Sequence, residues 1–111
     1  MGENMNIIKP ALLKNGDTIG ILAPSGAMDN DTNLKRGISF FEKRGFKVKL
    51  ADNIYSSNRY LAGSDKERLD AIHKMFSDKS INAIICLRGG YGAIRLINQI
   101  DYNVIRKNPK I

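Results

Sequence analysis

At 111 residues, with 42% hydrophobic and 26% charged side chains, the chain can bury about two thirds of its unfolded surface in one globular domain, which excludes a disordered segment. A formal charge of +7 raises nucleic acid as a partner, but the basic residues, from Lys35 and Arg36 through Lys49, Arg68 and Lys79 to Lys110, are dispersed. No stacked aromatics and no zinc or helix-turn-helix signature accompany them, so a solvated basic surface without a nucleic-acid partner is expected. No apolar stretch approaches the roughly 20 residues that cross a bilayer, and the N-terminus lacks signal-peptide order, so no membrane partner and a cytoplasmic location are expected.

The first predicted element is the apolar strand Thr18-Ile19-Gly20-Ile21-Leu22-Ala23, which follows the turn residues Asn15-Gly16-Asp17 and opens onto the loop Pro24-Ser25-Gly26. Asp31 or Thr32 can cap a helix whose Leu34, Ile38 and Phe41 recur at helical spacing, with Gly45 as its C-terminal stop. Phe46, Val48 and Leu50 alternate with Lys47 and Lys49, the period of a strand with one wet face, as at a sheet edge. Ser64-Asp65-Lys66-Glu67 has capping-box spacing and introduces a helix with Leu69, Ile72 and Phe76 on one stripe. The run Ala83-Ile84-Ile85-Cys86-Leu87 is apolar at every position, as in a central strand covered on both faces. Cys86, the single cysteine, is therefore expected in the core. After a glycine-rich turn, Ile94, Ile97 and Ile100 form another helical stripe, and Asp101 can cap one more short turn through Val104 and Ile105.

Alternating strands and helices demand right-handed crossovers and a mostly parallel sheet, so the expected fold is α/β, a three-layer flavodoxin-like sandwich occupying residues 1–111. With the second strand at the edge the order becomes 2-1-3-4, which sets the ends of strands one and three side by side at the switch point where ligands bind. The loops that meet there are Pro24-Ser25-Gly26 and Arg88-Gly89-Gly90-Tyr91-Gly92. Three glycines within four residues free the backbone and let another molecule approach the N–H groups, and turn geometry requires neither Arg88 nor Tyr91. A dinucleotide does not fit: Arg95 stands where the fingerprint needs a small residue, and no phosphate-loop lysine motif occurs. What remains is a nest of N–H groups suited to a carboxylate, a phosphate or a developing oxyanion.

Leu13 through Gly26, Tyr60-Leu61-Ala62-Gly63-Ser64-Asp65 with Arg68, Ile84 through Arg95, and Asp101-Tyr102 followed by Asn108-Pro109-Lys110 together resemble the LD-carboxypeptidases, serine peptidases that include the microcin C self-immunity proteins. The resemblance runs from about Ile8 to Ile111. It implies a parent enzyme that removes a terminal D-amino acid from a muropeptide tetrapeptide in peptidoglycan recycling, or, in the immunity branch, cleaves a peptidyl-nucleotide conjugate. It also implies that the nucleophilic serine follows just after Ile111 and that its histidine and glutamate partners lie in a missing C-terminal domain, so this chain carries no catalytic residue and is inactive alone. His73 and Ser25 are not candidates for base or nucleophile. Gly89 and Gly90 would supply oxyanion N–H groups, Arg88 and Tyr91 would shape the substrate pocket with Pro24, Ser25 and Gly26 opposite, and no metal or organic cofactor is implied. A different reading makes the chain a binding or assembly module for an anionic ligand. An unpaired strand edge beyond residue 111 favours the enzyme fragment, since alone it would tend to form a homodimer or aggregate.

Overall fold

The computed structural model describes residues 9–23, 32–55, 63–87, 96 and 98–111. In chain order these form β1 (Thr18–Leu22), α1 (Thr32–Lys43), β2 (Lys47–Leu50), α2 (Asp65–Ser77), β3 (Ala83–Cys86) and α3 (Tyr102–Lys107). The three strands are parallel in the order β2-β1-β3, with Ile19 opposite both Val48 and Ala83. The expected α/β class and the first three positions of the expected order are present. A fourth strand is not among the described elements.

Period-two alternation along β1 divides the core into two layers. Ile21 and Ala23 join Leu34 and Ile54, with Ile38 of α1 packed against them, while Leu22 joins Ala71, Ile72 and Met75 of α2 together with Ile81 and Leu96. The sheet is thus clothed by α1 on one face and α2 on the other. Gly20 is required by this arrangement: a Cβ there would lie 2.7 Å from Met75 Sδ. Gly45 ends α1 in the left-handed region at φ +92°, and its carbonyl accepts the Gly16 N–H at 2.9 Å, stitching the entrances of β1 and β2 together.

The capping box at Ser64 is complete: Ser64 Oγ accepts the Glu67 N–H and Glu67 Oε1 accepts the Ser64 N–H, both at 3.1 Å. The buried face of α2 is rotated from the Leu69, Ile72, Phe76 stripe toward Arg68, Ala71, Ile72 and Met75, with Leu69 and Phe76 half-buried at its margin. Asp101 caps α3 by accepting the Asn103 N–H at 3.1 Å. The helix expected around Ile94 and Ile97 falls on residues outside the described set, whereas Leu96 is fully buried.

Two expectations are corrected. β3 is not covered on both faces: among the described elements α1 packs on β2 rather than β3, Ile85 is 38% exposed, and Cys86 is exposed instead of lying in the core. Partial withdrawal of the Cys86 thiol from water still holds its pKa above the ordinary thiol value. Arg68, counted with the solvated basic surface, has 0% exposure.

Candidate functional site

The carboxyl ends of β1 and β3 meet as neighbours. Leu22 is paired with Cys86, and the Leu87 N–H donates to the Leu22 carbonyl at 2.7 Å, so the chain leaves both strands at one level. Ala23, the last described residue before the first loop, is fully buried, and the side-chain amide of Asn53 donates to its carbonyl at 2.9 Å. Asn53, 3% exposed, belongs to the turn that follows β2, where the Ala51 N–H donates to Ile21 O and the Ile54 N–H to Ala51 O. A buried amide thereby ties the exit of the edge strand to the exit of the central strand, a use of polarity that burial tolerates only when hydrogen-bonded. The seven candidate residues, Pro24, Ser25, Gly26, Arg88, Gly89, Gly90 and Tyr91, lie outside the described residues. What is described is the pair of strand ends that delivers their two loops.

A third loop arrives at the same edge through Gly63, which is buried at φ +94°. Arg68, one turn into α2, donates from Nε to the Gly63 carbonyl at 3.3 Å and from Nη2 to the Asp65 carboxylate. A buried guanidinium so engaged fixes the entry of α2 beneath the rim. No periodicity argument could find it, because an arginine on a helix reads as solvent-facing. The turn glycine before Ser64 and an acid three residues ahead of Arg68 are the local signals that it has partners to reach.

A cleft of about 210 Å³ between the post-β2 turn and α2 is lined by Asp52, Asn53, Glu67, Asp70, Ala71 and Lys74. Within it Lys74 pairs with Asp52 at 2.6 Å, Asp70 pairs with Lys66 outside the lining at 2.8 Å, and Glu67 is engaged in the cap at Ser64. Each carboxylate raises the pKa of its lysine, by hydrogen bond first and then by charge. Exposed pairs of this kind contribute little to stability. Among the described residues no cluster of three His, Cys, Asp or Glu side chains could hold a metal, and no helix is long and apolar enough to cross a membrane. His73 stands on α2 facing α3, where Nε2 accepts the Asp101 N–H at 2.8 Å, a tether between helices.

A parallel sheet with α1 on one face and α2 on the other, and with the exits of β1 and β3 side by side, defines an α/β domain of the kind whose ligands bind at the carboxyl ends of such strands. The family model for the LD-carboxypeptidase N-terminal domain matches residues 19–111, and the chain belongs to that family. A probable murein peptide carboxypeptidase of Bacillus subtilis is 42% identical over 103 residues, which is 93% of this chain and 32% of that protein. The murein tetrapeptide carboxypeptidase of Pseudomonas aeruginosa is 33% identical over 84 residues, covering 76% of this chain and 27% of that protein. Among solved structures, a mutant of the microcin C7 self-immunity protein MccF in complex with adenosine monophosphate superposes with a TM-score of 0.89 at 29% identity, over 95% of this chain and 32% of that one. The chain thus spans about a third of the length of the relatives it matches.

Proposed function

We propose that the chain is the N-terminal part of a serine-type LD-carboxypeptidase that releases a terminal D-amino acid from muropeptide tetrapeptides in the cytoplasm, and that it is inactive without the rest of the enzyme. The observation that carries this reading is the shared level of the β1 and β3 exits, fixed by the Leu87 to Leu22 hydrogen bond within a family whose named relatives are murein carboxypeptidases. From that edge, N–H groups at Gly89 and Gly90 would face an oxyanion, with Arg88 and Tyr91 beside the substrate and Pro24, Ser25 and Gly26 forming the opposite wall.

A fourth strand, completing the order 2-1-3-4, belongs to this reading. The Ile84 N–H points away from β1 and donates to the Ile111 carbonyl at 2.7 Å. In a parallel ladder this register sets the residue after Ile111 opposite Ile84, and the fourth residue after Ile111 level with Leu87. Three residues of climb, about 10 Å at ~3.3 Å each, would bring a nucleophile turn to the height of the glycine loop. There the serine would attack the carbonyl, the histidine of the C-terminal domain would take its proton and return it to the leaving amine, and water would release the acyl group.

The test is Gly90→Val in the full-length protein, assayed on a muropeptide tetrapeptide. A loss of kcat of about 100-fold, with the unfolding midpoint unchanged, is expected because valine keeps the N–H but not the glycine backbone that aims it at the oxyanion. Unchanged kcat would remove the glycine loop from the mechanism. The close superposition on the self-immunity protein favours a second substrate class, peptidyl or aminoacyl nucleotides. Faster turnover of such a conjugate than of the tetrapeptide would move the protein to that branch. Saturable binding of an anionic ligand by this chain, with no hydrolysis by the full-length protein, would leave a binding module instead.

A further inference from the structure

The segment Asn108-Pro109-Lys110 follows α3, and it is held more firmly than a connector needs. Asn108 closes the helix twice, its backbone N–H donating to Ile105 O at 3.1 Å and its side-chain amide to Val104 O at 2.7 Å. Pro109 has no N–H and disfavours helical geometry in the residue before it, and Asn108 ends the helix at φ −132° and ψ 62°. Lys110 then turns inward: its half-buried ammonium donates to Asp78 O at 2.9 Å and to Ile81 O at 2.5 Å.

Those two carbonyls belong to a turn that joins the lower ends of the sheet. The Ile81 N–H donates to Asp78 O at 3.1 Å, the Asn82 N–H to Thr18 O at 2.8 Å, and Asn82 Oδ1 accepts the Thr18 N–H at 2.9 Å, which fixes the turn to β1. The Asp78 carboxylate takes the Lys49 ammonium from β2 and accepts both the N–H and the hydroxyl of Ser80. One turn therefore gathers β1, β2 and the start of β3, and Lys110 adds the chain that arrives at Ile111. Immediately beyond this anchor the Ile111 carbonyl receives the Ile84 N–H.

We infer that Lys110 is a positioning residue: by clamping onto the Asp78 and Ile81 carbonyls it sets the register in which the chain continuing from Ile111 runs along β3. The inference rests on the proposed function for its catalytic consequence, because that register decides the height at which the nucleophile turn faces the glycine loop. A slip of one residue would shift the strand by ~3.3 Å and turn each side chain to the opposite face. Misplacement of a reacting group by about 1 Å already costs around 100-fold in rate.

The experiment compares Lys110→Met and Lys110→Arg in the full-length protein by two readouts, amide hydrogen exchange and steady-state kinetics on a muropeptide tetrapeptide. In Lys110→Met the Ile84 amide is expected to exchange about tenfold faster or more, while the Gly20 and Ile21 amides of β1 keep their protection. kcat should fall about 100-fold with KM little changed. Lys110→Arg, which keeps a cationic donor, should recover both. If Lys110→Met does not fold, Lys110→Gln, with its single amide donor group, carries the same comparison. Unchanged Ile84 protection overturns the clamp. Lost protection with intact kcat overturns its role in positioning. A wild-type protein that hydrolyses no tetrapeptide would sink the carboxypeptidase reading, and Ile84 exchange would then decide the clamp alone.

Discussion

Replacing Gly20 by alanine sets two opposing magnitudes against each other at the centre of the sheet. A Cβ at that position lies 2.7 Å from Met75 Sδ, 3.1 Å from Ile81 Cγ2 and 3.3 Å from Ile81 Cδ1, whereas nonbonded carbon contacts are comfortable at about 3.5–4.0 Å. Met75 is a flexible side chain, but it is packed in a cluster with Leu22, Ala51, Ala71, Ile72 and Leu96, so its sulfur has little room to swing. Overpacking of this depth falls in the upper part of the usual range, about 2–3 kcal/mol. Against it stands the gain of about 0.5–1 kcal/mol from removing a glycine from a strand, since Gly20 needs no left-handed φ. The expected net is a loss of about 1–2.5 kcal/mol, read as a lower urea midpoint with an unchanged slope. The decisive assay repeats the substitution in a Met75→Ala background, where the closest overlap is gone and the entropic gain is set only against the milder approaches to Ile81 at 3.1 and 3.3 Å. There the cost of Gly20→Ala should fall to near zero. An equal cost in both backgrounds would refute the reasoning, because the penalty would then not come from Met75.

Other perturbations follow from the same geometry. Arg68→Ala should cost about 1–3 kcal/mol, because it leaves the Gly63 carbonyl without its Nε donor where a fully buried side chain stood, while the part-exposed Asp65 carboxylate turns to water, and Arg68→Lys should recover little of that for want of the planar fork; a lysine variant as stable as wild type in urea would contradict this account. The Lys49 ammonium and the Ser80 donors hold the Asp78 carboxyl far below its ordinary value of 3.8, so its stabilisation is complete above that pH and is lost as pH falls below it. The melting difference between wild type and Asp78→Asn should therefore persist near neutral pH and shrink steadily once pH drops under 3.8; a difference that is flat across this range would show that the carboxylate charge is not responsible. Asn53→Ala deprives the Ala23 carbonyl of its side-chain donor and should cost about 1–3 kcal/mol, with faster exchange of amides at the β1 exit; unaltered exchange there would show that the loop stands without it.

Local chemistry made much of this fold readable. The alternation of Lys47 and Lys49 with Val48 and Leu50 marks β2 as an edge strand, Ser64 and Glu67 give the start of α2, and Asp101 caps α3, since each signal is completed within a few residues of itself. The switch point follows from these, because the order β2-β1-β3 leaves the two marked loops on neighbouring strands. What the chain's pattern does not disclose depends on long-range partners. An unbroken apolar run tells how much of β3 wants cover and nothing about which layer supplies it, hence Ile85 and Cys86 at the surface. Arg68 and Lys110 read as ordinary surface cations because the carbonyls that receive them come from turns, and turns carry no side-chain signature for their acceptors.

The two borders of the sheet are unlike. On β2, exposed Lys47 and Lys49 place charge on every second residue of a four-residue strand, a guard against recruitment of foreign strands. On β3, no charged residue interrupts the strand, and the border already accepts the backbone of Ile111. Growth of the sheet is therefore vectorial: it is rebuffed on the lysine side and invited on the isoleucine side. Any handling of the protein that draws the Ile111 segment away from β3 bares the adhesive border and spares the repellent one. Aggregates formed under such conditions should nucleate there, and a single lysine in place of Ile85 would be the economical way to keep the chain in solution.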